Sequence, residues 1–122
     1  MTAYIKRGGA TRSRVLEATD SYTGLAASFN TDPIPVSPAE YGFAQVKWSG
    51  FEAFNGRIIW QASDNLVDWE DLGGADGGIV LDTEDGSQGW EMTILTFKFL
   101  RMEFTANNVA TGDMSWTFKG YA

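Results

Sequence analysis

The sequence predicts an all-β fold, an antiparallel β-sandwich that carries an extended N-terminal arm. Several short stretches alternate apolar and polar residues with period two, the mark of half-buried strands. Glycine-rich or polar turn signals separate them roughly every 8–12 residues, a spacing typical of sandwiches and barrels. Aromatics make up 14% of the chain, with five Trp, eight Phe and 14 Gly among 122 residues. That composition suits strands and tight turns better than helices.

Residues 1–14 are polar, contain Gly8-Gly9 and show no periodicity. They are read as a basic arm, and residues 15–122 as one sandwich domain. Such a terminus is either a disordered tail or an arm that orders on a partner surface; the second reading is favoured. Residues 15–19 suggest one short strand and 21–29 a second, broken at Gly24. Residues 30–42 hold Pro33, Pro35 and Pro38, which fix an extended path and cannot donate to a ladder. This stretch is expected to cross from one edge or sheet to another.

The remaining elements follow from the alternation. In 43–51, Ala44, Val46 and Trp48 face one way and Phe43, Gln45 and Lys47 the other. Asn55-Gly56 is a hairpin signal leading into the apolar run Ile58, Ile59, Trp60. A polar turn, Ser63-Asp64-Asn65, follows, and the chain re-enters the core by Trp69 and Leu72. Residues 73–78 form a glycine-rich loop, 78–83 a short strand and 84–89 a turn. Residues 90–95 place Trp90, Met92 and Ile94 on one face, and 97–106 do the same with Leu100, Met102 and Phe104. After a turn at 107–113, Met114, Trp116 and Phe118 point inward and Ser115, Thr117 and Lys119 outward. Six or seven strands are expected, with the last tied beside an earlier one.

Composition excludes several chemistries. The chain has no Cys and no His. Disulfides, thiolate metal sites, a Ser-His-Asp triad and a His general base are therefore impossible. No apolar run is long enough to span a membrane. The N-terminus has no apolar segment after its basic residues, so it does not read as a signal peptide, and synthesis in the cytoplasm is expected. Charge is split: the first 15 residues carry Lys6, Arg7, Arg12 and Arg14 and no acid, +4, while the other 107 carry −11, giving the net −7.

The acids Asp64, Asp68, Glu70, Asp71, Asp76, Asp82, Glu84 and Asp85 are the one cluster that could carry chemistry. Their spacing matches no calcium loop, nothing in it sets two carboxylates across a cleft, and a solvated acidic rim is the expectation. No catalytic residue, metal ligand or cofactor site is expected, so the protein reads as a non-enzyme. The loop at 73–78 lacks the Lys-Ser/Thr of a phosphate cradle. The basic residues of the arm are not interleaved with aromatics, and the acidic body repels phosphate, which argues against nucleic acid. Trp69 is either a lid over one end of the core, held there by Leu66, Val67 and Leu72, or a platform for a sugar or partner; the lid is favoured.

A resemblance goes further than composition. Gln61, Ala62, Ser63, Asp64, Trp69 and Leu72 resemble the strand-turn-Trp signature of discoidin-like β-sandwich modules. Phe99, Leu100, Arg101, Phe104, Thr105, Thr111 and Gly112 resemble the ending that follows this signature in small virion proteins of tailed bacteriophages. The likeness covers roughly residues 57–122. It implies a jelly-roll or discoidin-like sandwich in a structural virion protein, most naturally a capsid decoration or surface protein. The implied partners are other copies of the chain, a trimer first, and the major capsid protein or another virion protein. The arm would supply Tyr4 and Ile5 as anchors and Lys6, Arg7, Arg12 and Arg14 as charged contacts. The alternative is a carbohydrate-binding module for tail or surface adhesion, with Trp69 as platform.

Overall fold

The computed structural model describes residues 13–51, 56–73, 77–107 and 111–122. Ten strands lie among them: β1 (Arg14–Leu25), β2 (Phe29–Asn30), β3 (Ile34–Pro35), β4 (Tyr41–Ser49), β5 (Gly56–Ser63), β6 (Glu70–Asp71), β7 (Ile79–Leu81), β8 (Gly86–Thr93), β9 (Phe99–Ala106) and β10 (Gly112–Tyr121). One sheet has the order β1-β10-β4-β8. The other has the order β2-β9-β5-β6, with β3 also on β9 and β7 also on β5. Every pairing is antiparallel. The all-β sandwich expected from the sequence is the fold observed. The excess over six or seven strands is made of the two- and three-residue segments β2, β3, β6 and β7, too short to show a period.

Alternation places the core as expected. Ala44, Val46, Trp48, Met114, Trp116 and Phe118 point inward from the first sheet, and Ile58, Trp60, Ala62, Leu100, Met102 and Phe104 from the second. Trp60 is fully buried and meets Trp116 edge-on at a centroid distance of 5.8 Å, and Trp90 at 6.4 Å. The last strand lies between β1 and β4, with Trp116 opposite Asp20 and Val46. The proline segment does cross between sheets: β3 pairs with β9 of the second sheet, and the chain then enters β4 of the first. Thr31 bridges β2 and β3, its N–H donating to Met102 O and its Oγ1 accepting from Met102 N.

Three local expectations are corrected. Residues 14–25 form one strand rather than two; Gly24 takes a φ of 63° and the register shifts between Tyr22 and Leu25, so the glycine bends the strand without ending it. The hairpin expected at Asn55-Gly56 does not pair its flanks. β4 and β5 lie in different sheets, because Phe51 is fully buried and its N–H donates to Glu84 O, drawing the chain across the core; Asn55 lies outside the described residues. Residues 86–89 are strand, not turn. Trp48 packs on Gly86 and Phe43 on Gly89, where a Cβ would come within 2.5 Å and 2.8 Å of those rings. The glycines serve packing there, not reversal.

Side-chain contacts close both open sides of the sandwich. On one side Tyr22 of β1 meets Phe29 of β2 at 4.9 Å, and Trp116 Nε1 donates to Tyr22 Oη at 3.0 Å. On the other, Trp90 Nε1 donates to Gly77 O at 2.8 Å. Trp60 Nε1 alone, among the buried side-chain polar atoms described, has no hydrogen-bond partner. Trp60→Ala is expected to cost about 3–5 kcal/mol in urea unfolding. Trp60→Phe, which also removes the unpartnered N–H, is expected to cost less than half as much. A loss below about 1 kcal/mol for the alanine variant would place this side chain in solvent and the register in error.

Candidate functional site

One end of the sandwich is held together by backbone hydrogen bonds between its loops and strand ends. Here the chain's first described residue meets its last: Ser13 N donates to Ala122 O and Ala122 N to Ser13 O. β1 therefore starts at this end. Two loops brace one another beside it. Glu40 N donates to Tyr121 O, and Glu40 O accepts from both Ile94 N and Leu95 N. Lys98 N donates to Ser63 O, and Lys98 O accepts from Val36 N, tying the start of β9 to the ends of β5 and β3.

The loop after Ser63 projects from the same end. Ser63 Oγ accepts from the N–H groups of Asn65 and Leu66, and Asn65 Oδ1 from those of Val67 and Asp68. Asn65 Nδ2 donates to Asp68 Oδ2 at 2.9 Å. Short polar side chains thus replace the backbone ladder that a turn lacks. At its tip Leu66 is held at a φ of 67° and Val67 is 77% exposed. Leu95, in the neighbouring loop, has a φ of 40° and is 54% exposed. A left-handed leucine costs about 1–2 kcal/mol, and these two are the only described non-glycine residues with positive φ. Sequence reasoning missed this. It read Leu66 and Val67 as apolar flanks of a Trp69 lid, whereas the Ser63–Asn65 bonds turn them outward.

Trp69 is half-buried on the outer side of the second sheet and is not part of the core or of the side chains packed on it. It is no lid. The Arg101 guanidinium lies 4.1 Å from the centre of its ring. Arg101 Nε donates to Gln61 Oε1, and Gln61 Nε2 to Asp71 Oδ1, each at 2.8 Å. Residues from both halves of the sequence signature therefore form one clamp that ties the projecting loop to β5 and β9. Among the arm residues, Arg14 begins β1 and pairs with Glu17 of its own chain at 3.1 Å, both side chains well exposed. Tyr4, Ile5, Lys6, Arg7 and Arg12 lie outside the described residues.

The acids do not act as one group. Asp68 and Asp71 serve the loop and clamp, whereas Asp85 accepts from Gly50 N at the opposite end. Among the described residues no three potential ligands are grouped to hold a metal ion, and Asp76 lies outside them. No described helix is long and apolar enough to cross a membrane.

No protein-family model matches the chain, and no curated protein matches it. Among solved structures, the SPBc2 prophage-derived protein YomS is similar with a TM-score of 0.55 at 17% identity, covering 88% of this chain and 96% of that one. A protein of Bacillus endospore appendages gives a TM-score of 0.46 at 16% identity over 98% and 97% of the two chains. One of infectious bursal disease virus, Gx strain, gives 0.35 at 12%, over 88% and 31%. At these identities the likeness to the prophage-derived protein is one of fold, and the other two are more distant still.

The loop's energetics can be tested by urea unfolding. Ser63→Ala removes the acceptor of two N–H groups and is expected to cost about 1–3 kcal/mol. Leu66→Gly is expected to stay within about 1 kcal/mol of the parent, because relief of the left-handed strain offsets the added freedom of glycine in the unfolded chain.

Proposed function

We propose that the protein is a structural component of a virus particle, a decoration or surface protein of a bacteriophage capsid that binds there as a homo-oligomer and performs no catalysis. One observation carries this reading: β1, which the basic stretch precedes in sequence, starts at the end that presents Leu66, Val67 and Leu95 on braced backbone. Exposed apolar side chains held in strained conformations suit contact with another protein surface. The outer edge of β1, 12 residues long, has no strand beside it among the described residues, and an edge of this kind can accept a strand from a neighbour. The fold shared with a prophage-derived protein is compatible with this reading.

The partners under this proposal are further copies of the chain, a trimer by preference, and the major capsid protein or another virion protein. Charge alone would not order the arm. Exposed ion pairs contribute about 0–1 kcal/mol each, whereas fixing each residue costs roughly 1–2 kcal/mol. Tyr4 and Ile5 must therefore be buried on the partner, and the arm's backbone must find hydrogen bonds there. Lys6, Arg7, Arg12 and Arg14 would set its orientation against acids.

Deleting residues 2–12 is expected to leave the unfolding transition of the sandwich intact and to lower occupancy on purified particles. Co-sedimentation with particles at low and high salt measures this. If the truncated protein fills particles as completely as the intact one in both salts, the arm is not the attachment device.

A further inference from the structure

The outer face of the first sheet carries an open cleft of about 520 Å³, within the range of small-ligand clefts, roughly 300–1,000 Å³. Its walls come from three strands. Tyr41 and Phe43 on β4, Glu91 and Thr93 on β8, and Tyr121 at the end of β10 surround the backbone of Gly42. Register explains the grouping: Tyr41 is opposite both Thr93 and Tyr121, and Phe43 is opposite Glu91. Directly opposed side chains on one face stand about 4.5–5.5 Å apart at Cβ, so three aromatic rings, a carboxylate and a hydroxyl share one depression.

The seat of Phe43 is unusual for a surface aromatic. Its ring lies against Gly89 of the edge strand, where a Cβ would come within 2.8 Å of Cζ. Phe43 nevertheless remains 40% exposed. It is held from below by the sheet and open to solvent above. Glu91, one strand over, is exposed and offers only acceptors.

We infer that this cleft binds a neutral carbohydrate, with a sugar ring stacked on Phe43 and its hydroxyls donating to Glu91. A pyranose needs an apolar plane for its C–H face and acceptors for its hydroxyls, and this arrangement offers both. Tyr41, Thr93 and Tyr121 can each donate or accept at the rim. A phosphorylated or sulfated ligand would meet the Glu91 carboxylate, with Lys119, the cross-strand neighbour of Phe43, as counterweight. A wholly apolar ligand would leave that carboxylate desolvated. The site is separate from Trp69 and does not depend on the virion assignment.

The test is amide chemical-shift mapping of the intact chain. The probes are cellohexaose, maltohexaose, mannohexaose and N-acetylchitohexaose at about millimolar concentration, the range expected of a shallow site, with a heparin oligosaccharide as the anionic comparison. At least one neutral probe is expected to shift the amides of residues 41–43, 91–93 and Tyr121. Phe43→Ala is expected to weaken that binding by roughly tenfold, and Glu91→Gln, which leaves packing intact, to weaken it as well. The inference fails if no neutral probe moves those amides, if the shifts centre on Trp69, or if heparin binds more tightly. It also fails if the same amides shift with protein concentration alone, because the face then belongs to a second copy.

Discussion

Everything in this fold has to accommodate a tryptophan that touches both sheets. Trp60 projects from β5 into the middle of the sandwich and meets Trp116 of β10 and Trp90 of β8 edge-on. Three indoles of this size leave few ways for two sheets to approach one another. The arrangement leaves the Trp60 N–H without an acceptor, a cost of about 1–3 kcal/mol. The burial of the ring outweighs it, and the two outer indoles avoid the same cost by donating to Tyr22 and Gly77 at the sandwich's open sides. Core and margins are thus fixed by one set of aromatic contacts.

The strands that were legible in the sequence are those with one wet face. In β4, β9 and β10 the inward residues are buried and the outward ones are half-buried or exposed, with few exceptions. Where packing overrode local chemistry, reading failed. Gly86 and Gly89 have the composition of a turn, but Trp48 and Phe43 need the space above them. Asn55-Gly56 has the composition of a hairpin, but the partner of β5 is chosen by Phe104 and Met102, more than 40 residues away. No local pattern encodes that distance.

The projecting loop and its clamp were legible in part. Gln61, Trp69 and Arg101 stood out in the sequence as a signature, and they do meet. Their role as a clamp depends on Asp71, whose acidity had suggested only a solvated rim. The outward turn of Leu66 and Val67 was hidden, because apolar residues flanking a tryptophan ordinarily signal burial. Ser63 and Asn65 decide otherwise, by offering acceptors that a buried path would have had to supply from backbone.

The position of β10 also bears on how the molecule comes into being. It is made after the other nine described strands, yet it lies between β1 and β4. Until it arrives, β1 has no neighbour in its own sheet, and β4 has only β8. The first sheet therefore cannot close until residues 112–121 have left the ribosome. During synthesis two of its strands present open edges in a crowded cell. Pairings this distant in sequence also close slowly. The charges along β1, Glu17 and Asp20 with Arg14, are then gatekeepers for a strand that waits for its partner until β10 is made.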